Sequence, residues 1–325
     1  MSDYSVLTFD YELFLGSSTG SVKNSLIKPT DRIIDIFQKY NARGIFYVDA
    51  GYLLKLKEYN SPDLDLIKNQ LRTLIDIGSS VELHIHPQWI DAELNEGVWT
   101  FTSFDKFRLH SLERSELTSY FIKCKDTLEE LTGKKVRSFR AGGWCLQPFE
   151  HVVEAFEQAG IELDSSVTPG LEKNNLPHHF FDFRGVDNRG VYRFENDPCV
   201  EVLSGNYQEM PVTTHKLFGV TLLINAILLK FYDNQIFGDG RGLYQPDTLK
   251  NKFFRIFKTN IRTLSVEGLF PLLFNRVLKV ELNKNRNPLC LVMHPKTLTE
   301  LSLRNMEYIC KITTTLNIEK ILDKD

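Results

Sequence analysis

Along the first half of the chain, short apolar runs take turns with longer amphipathic stretches. The runs SVLTFDYE, RGIFYVDA, SVELHIHP, VRSFRAGG and IELDSSV have strand length and are rich in β-branched or aromatic residues. Between them, PTDRIIDIFQKYN, PDLDLIKNQLRTLIDIG, SELTSYFIKCKDTLEELTG and QPFEHVVEAFEQAG carry apolar residues at helical spacing, several opening near Pro, Ser or Asp and closing at Gly or Asn. Strand and helix in alternation predict parallel pairing with right-handed crossovers. After Val167 the rhythm gives way to a segment rich in Gly, Pro and Asn, in which VYRFE, CVEVLS and YQEMPVT keep strand character. Regularity returns at NPLCLVMHP and a closing amphipathic helix from about Thr299 to Leu322. The last strand is needed to complete the barrel that the first five begin. The pattern therefore predicts one domain over residues 1–325 with an elaborated insertion at about 171–285.

A chain of 325 residues, 42% of them hydrophobic, can bury a large core. Its formal net charge of −3, with no clustered Lys/Arg stripe, argues against a nucleic-acid partner. Cys124, Cys145, Cys199, Cys290 and Cys310 are odd in number and scattered, which predicts reduced thiols. Together with an amino terminus that enters a strand without a basic, apolar leader, this places the protein in the cytoplasm as an expectation. The run LFGVTLLINAILLKFY, Leu217 to Tyr232, is too short to span a bilayer, which takes about 20 apolar residues. It reads as a core or lid helix, with membrane-surface contact through residues 217–232 as the alternative.

Polar residues collect at the ends of the predicted strands: Asp10 and Glu12, Asp49, His84 and His86, Arg140, Asp164, and His294. In parallel barrels the carboxyl ends of the strands converge on one rim, where active sites are built. Alternation puts Thr8, Asp10 and Glu12 on one face of their strand and Glu82, His84 and His86 on one face of theirs. If both faces point into the mouth, two carboxylates meet two imidazoles, and His84 and His86 read as metal ligands. Imidazole and carboxylate without thiolate suit zinc, iron, cobalt or nickel.

These segments, in this order, resemble the polysaccharide deacetylases of carbohydrate esterase family 4. LTFDYE is similar to the family's Thr-Phe-Asp-Asp motif, VELHIHPQW to its histidine motif, SFRAGGW to its arginine motif, ELDSSV to its fourth, Asp-containing motif, and LVMHP to its final Leu-x-x-His element. The match covers roughly residues 5 to 170 and 286 to 325. The resemblance implies a distorted (β/α)7-type barrel and a hydrolase with one divalent metal ion, zinc being the expected one. It makes Asp10 the general base, Arg140 the cation that holds it, His294 the general acid and Asp164 the acidic residue that tunes His294. Tyr11 stands where the family has its metal-binding carboxylate, so Glu12, on the same strand face as Asp10, is the expected ligand beside His84. Family spacing would set the second histidine ligand at Gln88, where this chain offers His86; His86 is preferred and Gln88 is the alternative. RAGGW departs from the family's Arg-x-Pro-Tyr, which leaves the oxyanion donor of that region open.

The implied reaction removes an N-acetyl or similar acyl group from an amino sugar or glycan, in polysaccharide or lipopolysaccharide synthesis. An allantoinase-like hydrolase of a small non-sugar amide keeps the site and changes the substrate; a glycan-binding barrel without turnover is the third reading. FGDGRGLYQ, residues 237–245, is Gly-rich but lacks a P-loop ending, and reads as a flexible lid. Trp89, Trp99 and Trp144 are candidates for stacking on sugar rings or for the core, and His178, His179 and Glu209 are candidates to reach the site from the insertion.

Overall fold

A computed structural model describes residues 3–103, 105–175, 178–232, 234–242, 256–284, 286 and 288–323. In chain order the strands are β1 (Tyr4–Tyr11), β2 (Ile45–Asp49), β3 (Ser80–Ile85), β4 (Ala92–Asn95), β5 (Val98–Phe101), β6 (Ser138–Ala141), β7 (Leu163–Asp164) and β8 (Glu172–Asn175). They continue with β9 (His179–Asp182), β10 (Tyr192–Phe194), β11 (Tyr207–Glu209), β12 (Thr214–Phe218), β13 (Thr259–Thr263), β14 (Leu289–Met293) and β15 (Thr314–Thr315). The helices used below are α1 (Lys28–Tyr40), α2 (Ala50–Glu58), α3 (Asp63–Asp76), α4 (Arg114–Thr132), α5 (Val153–Ala159), α6 (Gly219–Lys230), α7 (Pro271–Leu282), α8 (Glu300–Ile312) and α9 (Ile318–Leu322).

The main sheet has the order β10-β11-β7-β6-β3-β2-β1-β14, with β15 beside the start of β1. From β11 to β14 every neighbouring pair is parallel, so seven strands make the curled wall of the expected distorted barrel. One of the seven, β11, is supplied by the insertion. The gap between β11 and β14 is closed without a regular strand. Val212 N donates to Val167 O at 2.9 Å, Thr213 N to Cys290 O at 2.9 Å, Leu264 N to Thr213 O at 2.7 Å and Val292 N to Leu264 O at 3.1 Å.

Alternation along the strands sorts the core into two. Leu7, Phe9, Phe46, Val48, Leu83, Ile85 and Phe139 face outward into the helix layer, where α1 buries Ile33, Ile34, Ile36 and Phe37. Val6, Ile45, Tyr47, Cys290 and Val292 face inward, and Ile318, Ile321 and Leu322 of α9 plug the bottom. Burial of such apolar area, at about 25 cal/mol per Å2, is the main favourable contribution to the fold. The helices stop where the sequence says: α1 at Asn41 and α4 at Gly133, both left-handed at φ 50° and 69°.

Three expectations are corrected here. The closing helix over 299–322 is broken: Thr313 leaves α8 in extended conformation, and the β-branched pair Thr314 and Thr315 goes to β1 instead. CVEVLS forms a turn, with Val202 N bonded to Arg193 O at 2.8 Å. The apolar run at 217–232 forms α6 on the surface and not in the core.

Candidate active site and metal centre

β1 brings Asp10 to the rim, and Glu12 follows just past its end; both are buried. Tyr11 points the other way, its hydroxyl donating to Gln70 Oε1 of α3 at 2.9 Å. The position at which the motif expects a carboxylate thus faces the helix layer, and Glu12 is the next side chain turned inward.

β3 brings His84, and His86 follows at the entrance to a one-turn helix, Pro87–Asp91. His84 Nδ1 lies 2.7 Å from the Arg140 carbonyl, so that nitrogen donates its proton there and Nε2 is the one left to bind a metal, which would displace any proton on it. His84 Nε2 stands 3.1 Å from His86 Nε2 and 3.3 Å from Glu12 Oε2, and His86 Nε2 stands 2.6 Å from the same oxygen. Metal bonds of about 2.0–2.2 Å at tetrahedral angles separate ligand atoms by roughly 3.3–3.5 Å. A buried triangle of two imidazole nitrogens and one carboxylate oxygen therefore fits a small divalent cation. The electrostatics agree. Burial disfavours a charged His84, yet the carboxylates of Glu12, Asp10 and Asp49 outweigh it and raise the ring to about 9. The site attracts positive charge.

Lys296 secures the carboxylate of this set. Its Nζ donates to Glu12 Oε1 at 2.8 Å and to Leu13 O at 2.7 Å. Burial pushes the Glu12 carboxyl up, but Lys296 and His86 hold it well below the usual carboxylate range. His86 is held from two sides. Its backbone N donates to Asp49 Oδ1 at 3.3 Å, while Asp49 Oδ2 accepts from Trp89 Nε1 at 2.6 Å. Against its ring lies Gly142, where a Cβ would come within 2.6 Å of both His86 Nδ1 and Ile85 O. The glycines of RAGGW are there for close approach. Gln88, the alternative ligand, is buried outside the residues that line the cleft and has no hydrogen-bond partner among the described residues.

Arg140 is fully buried on β6. Its Nη1 donates to Asp10 Oδ1 at 2.7 Å, its Nε to Ser165 O and its Nη2 to Ser165 Oγ, both at 2.9 Å, and the guanidinium lies 4.2 Å over the Tyr47 ring. Breaking such a buried pair by removing one partner costs about 3–5 kcal/mol. Burial raises the Asp10 carboxyl, but Arg140, His84 and His294 outweigh it and hold it below the usual range.

His294, just past β14, faces Asp10 across the cleft, its Nε2 3.6 Å from Asp10 Oδ2 and 4.0 Å from Glu12 Oε1. Residues far apart in sequence, His84 and His294, are thus both within about one contact of the Glu12 carboxylate. The residue beside the other ring nitrogen is Glu267, 3.6 Å from Nδ1, which also accepts the His294 backbone N–H at 2.5 Å. Burial lowers the ring's pKa, and Glu267, Asp10 and Glu12 raise it more. The carboxylate beside His294 is thus Glu267, where the resemblance implied Asp164. Asp164 accepts from Ser166 N at 2.9 Å and Ser166 Oγ at 2.8 Å, and shares a hydrogen bond with Glu209; the contacts of its carboxyl are these and not His294.

Asp10, Glu12, His84, His86 and His294 line a cleft of about 430 Å3, completed by Ala141, Gly143, Trp144 and Val292 and by Leu171, Ile261, Arg262 and Thr263 of the insertion. Of the tryptophans, Trp89 and Trp99 are core residues and Trp144, at φ 64°, lies on the cleft wall. His179 reaches the rim, its Nε2 2.9 Å from Gly143 O, while His178 is half-buried near Asp105. Glu209 is buried against Asp164. The described part of the Gly-rich segment, 237–242, is a pinned strap and not a loose lid: Gly238 N donates to Lys296 O at 2.9 Å, and Asp239 accepts from Ser21 and Asn24. Residues 243–245 of that segment lie outside the described residues.

Neither a protein-family model nor a curated protein matches the sequence. Among solved structures, the chain superimposes on a Mycobacterium smegmatis protein provisionally named a polysaccharide deacetylase, with a TM-score of 0.51 over 99% of this chain and 89% of that one at 14% identity. The chain has the polysaccharide deacetylase fold. BA3943 of Bacillus anthracis, a family 4 pseudoenzyme, matches 99% of this chain and 66% of its own at 12% identity and a TM-score of 0.40. The peptidoglycan deacetylase PdaC of Bacillus subtilis matches 53% of this chain and 59% of its own at 16% identity and a TM-score of 0.30. On this deacetylase fold the chain places two site residues that its motifs did not announce, Lys296 and Glu267. Lys296 sits two positions beyond His294, a spacing that could have been noticed; Glu267 lies in the aperiodic insertion and has no comparable signal.

Proposed function

We propose that the chain is one catalytic unit, a metal-dependent hydrolase that removes an N-acetyl or similar acyl group from an amino sugar. The observation that supports this most is the meeting, in one cleft, of the Glu12, His84 and His86 triangle with an Arg140-held Asp10 on one side and His294 on the other. Glu12, His84 and His86 would hold a divalent ion, zinc by preference, which when bound would supply Lewis-acid polarisation of the acyl oxygen and acidify water. The side chains do the rest. Arg140 fixes Oδ1 of Asp10, which leaves Oδ2 turned to the cleft to take a proton from the attacking water. His294, whose protonated form Glu267 favours, stands where its Nε2 can deliver a proton to the departing nitrogen as the C–N bond breaks. One water is consumed, and a carboxylate and an amine leave. A cleft of about 430 Å3 lies within the ~300–1,000 Å3 of small-molecule sites, which suits a sugar unit with its acyl group.

Elemental analysis of the purified protein, followed by acetate release from a panel of N-acetyl amino sugars, tests the reading. We expect about one divalent ion per chain, lost in His84→Ala and kept in Gln88→Ala. Asp10→Asn should keep the ion and lose about 10²- to 10⁴-fold in turnover. A wild-type chain that takes up no metal, or an Asp10→Asn variant that turns over normally, overturns it.

A further inference from the structure

Helix α6 is built inside out. A surface helix normally turns its apolar stripe to the core and its polar face to water. In α6 the buried side chain is Asn225, whose Oδ1 accepts from Phe270 N at 2.8 Å and whose Nδ2 donates to Gly268 O at 2.9 Å. Leu223, Ile224, Ile227 and Leu228 are exposed instead, and Phe218 and Phe231 at its two ends are 53% and 80% exposed. A contiguous apolar patch of this kind marks an interaction surface.

Charge narrows down the partner. Lys216 and Lys230 stand at the two ends of the helix and Lys258 beside its first turn, all exposed. No acidic residue occurs from His215 to Tyr232, and none of the three lysines makes an ion pair among the described residues. A second copy docked symmetrically would set lysine fringe against lysine fringe, and Glu172, the carboxylate that lines the adjoining groove, is already paired with Arg184 at 3.3 Å. An anionic lipid surface answers both features at once, taking the apolar side chains below and the ammonium groups at headgroup level.

The patch also adjoins the cleft. Between α6 and β13 runs a groove of about 730 Å3 with Leu222 and Leu223 on one side and Leu171, Ile261 and Arg262 on the other; the last three also line the cleft that holds Asp10 and His294. Among the described residues no helix is long and apolar enough to cross a membrane, so α6 would lie in the surface and not span it.

We propose that α6 beds its apolar face into a bilayer bearing anionic headgroups and holds the mouth of the cleft against that surface. The groove then leads from the lipid to the reacting residues. Taken with the hydrolase reading above, on which this one clause rests, the substrate is an amino sugar carried on a lipid.

Vesicle flotation of the full chain tests the docking without reading activity, so it can fail or succeed apart from the hydrolase reading. The protein should rise with vesicles of phosphatidylcholine and phosphatidylglycerol, less with phosphatidylcholine alone, and less again as salt is raised. Ile224→Glu combined with Ile227→Glu, both at exposed positions, should cut vesicle affinity at least ~10-fold while melting temperature and metal content stay at wild-type values. Replacing Lys216, Lys230 and Lys258 with Gln should remove the preference for phosphatidylglycerol. A wild-type chain that floats with neither vesicle, a double variant that floats undiminished, or a wild-type dimer that the double variant converts to monomer without any vesicle binding would each overturn the proposal.

Discussion

Lys296 Nζ stands 2.8 Å from Glu12 Oε1, and the other oxygen of the same carboxylate faces both histidine rings. An ammonium so close to a cation site opposes the ion by charge but fixes the ligand that binds it. Because Glu12 lies past the end of β1, without a ladder to hold it, positioning is the larger effect. Lys296→Met should therefore weaken metal binding about 10- to 100-fold, the usual cost of losing an outer-shell partner, as read by competition with a chelator. Equal or tighter binding would mean that repulsion dominates.

Gly142 leaves no room for a side chain between His86 and the Ile85 carbonyl. A backbone oxygen cannot swing away, so the methyl of Gly142→Ala must move the strand end or the ring. We expect a loss of about 1–3 kcal/mol in stability, the range for overpacking, together with weaker metal binding. Thermal melting with and without added zinc checks both, and a variant that binds metal as wild type does would show the ring to be free to shift.

Glu267 contributes to the elevated pKa of His294 through Nδ1. A carboxylate there favours the imidazolium, so Glu267→Gln lowers the ring's pKa. Deprotonation of the acid sets the alkaline limb of the rate profile, and that limb should move to lower pH while the acid limb, set by Asp10, stays in place. The pH dependence of acetate release shows this; an unmoved alkaline limb would detach Glu267 from the proton path.

Asp164 and Glu209 share the barrel interior fully buried, and burial with mutual repulsion pushes Glu209 well above the usual carboxylate range. In the unfolded chain the same group ionises at ordinary pH. The folded state therefore holds the extra proton as pH climbs from about 4.5 toward the elevated value, and stability falls over that window by up to about 1.4 kcal/mol per pH unit. Glu209→Gln should flatten that decline in denaturant titrations run at pH 5 to 8; a parent protein with no decline would show the pair sharing its proton differently.

Much of the site could be read from the chain because period-two alternation is a local property. Asp10, His84 and Arg140 occupy inward positions on three strands whose flanking residues are apolar and outward, His86 continues the alternation one residue past β3, and that contrast is visible in TFDYE, ELHIH and SFRAG. The same rule explains Tyr11. Its outward turn toward Gln70 follows from its place between two inward carboxylates. What the chain did not disclose lies where alternation fails. β11 has three residues, Glu267 sits in a turn beyond β13, and the partner of His294 depends on how the insertion folds back. Asp164 was assigned by motif order, but the β7 strand of two residues turns its carboxyl to Ser166 and Glu209. The exposure of α6 was hidden for another reason. An apolar run reads the same whether it is buried by protein or destined for another surface, and only the packing of Asn225 separates the two.

The barrel's closing seam ties two tasks to one piece of backbone. Where six junctions are strand ladders, the seventh consists of Thr213 reaching Cys290 by two hydrogen bonds and Leu264 reaching Val292 by one. These residues flank the antiparallel pair of β12 and β13, which α6 helps to join, on one side and β14, which runs up to His294, on the other. One wall of the groove beside α6 and the strand end that sets the place of His294 are thus fastened by the same few backbone bonds, so the outer groove and the inner cleft share a single anchor.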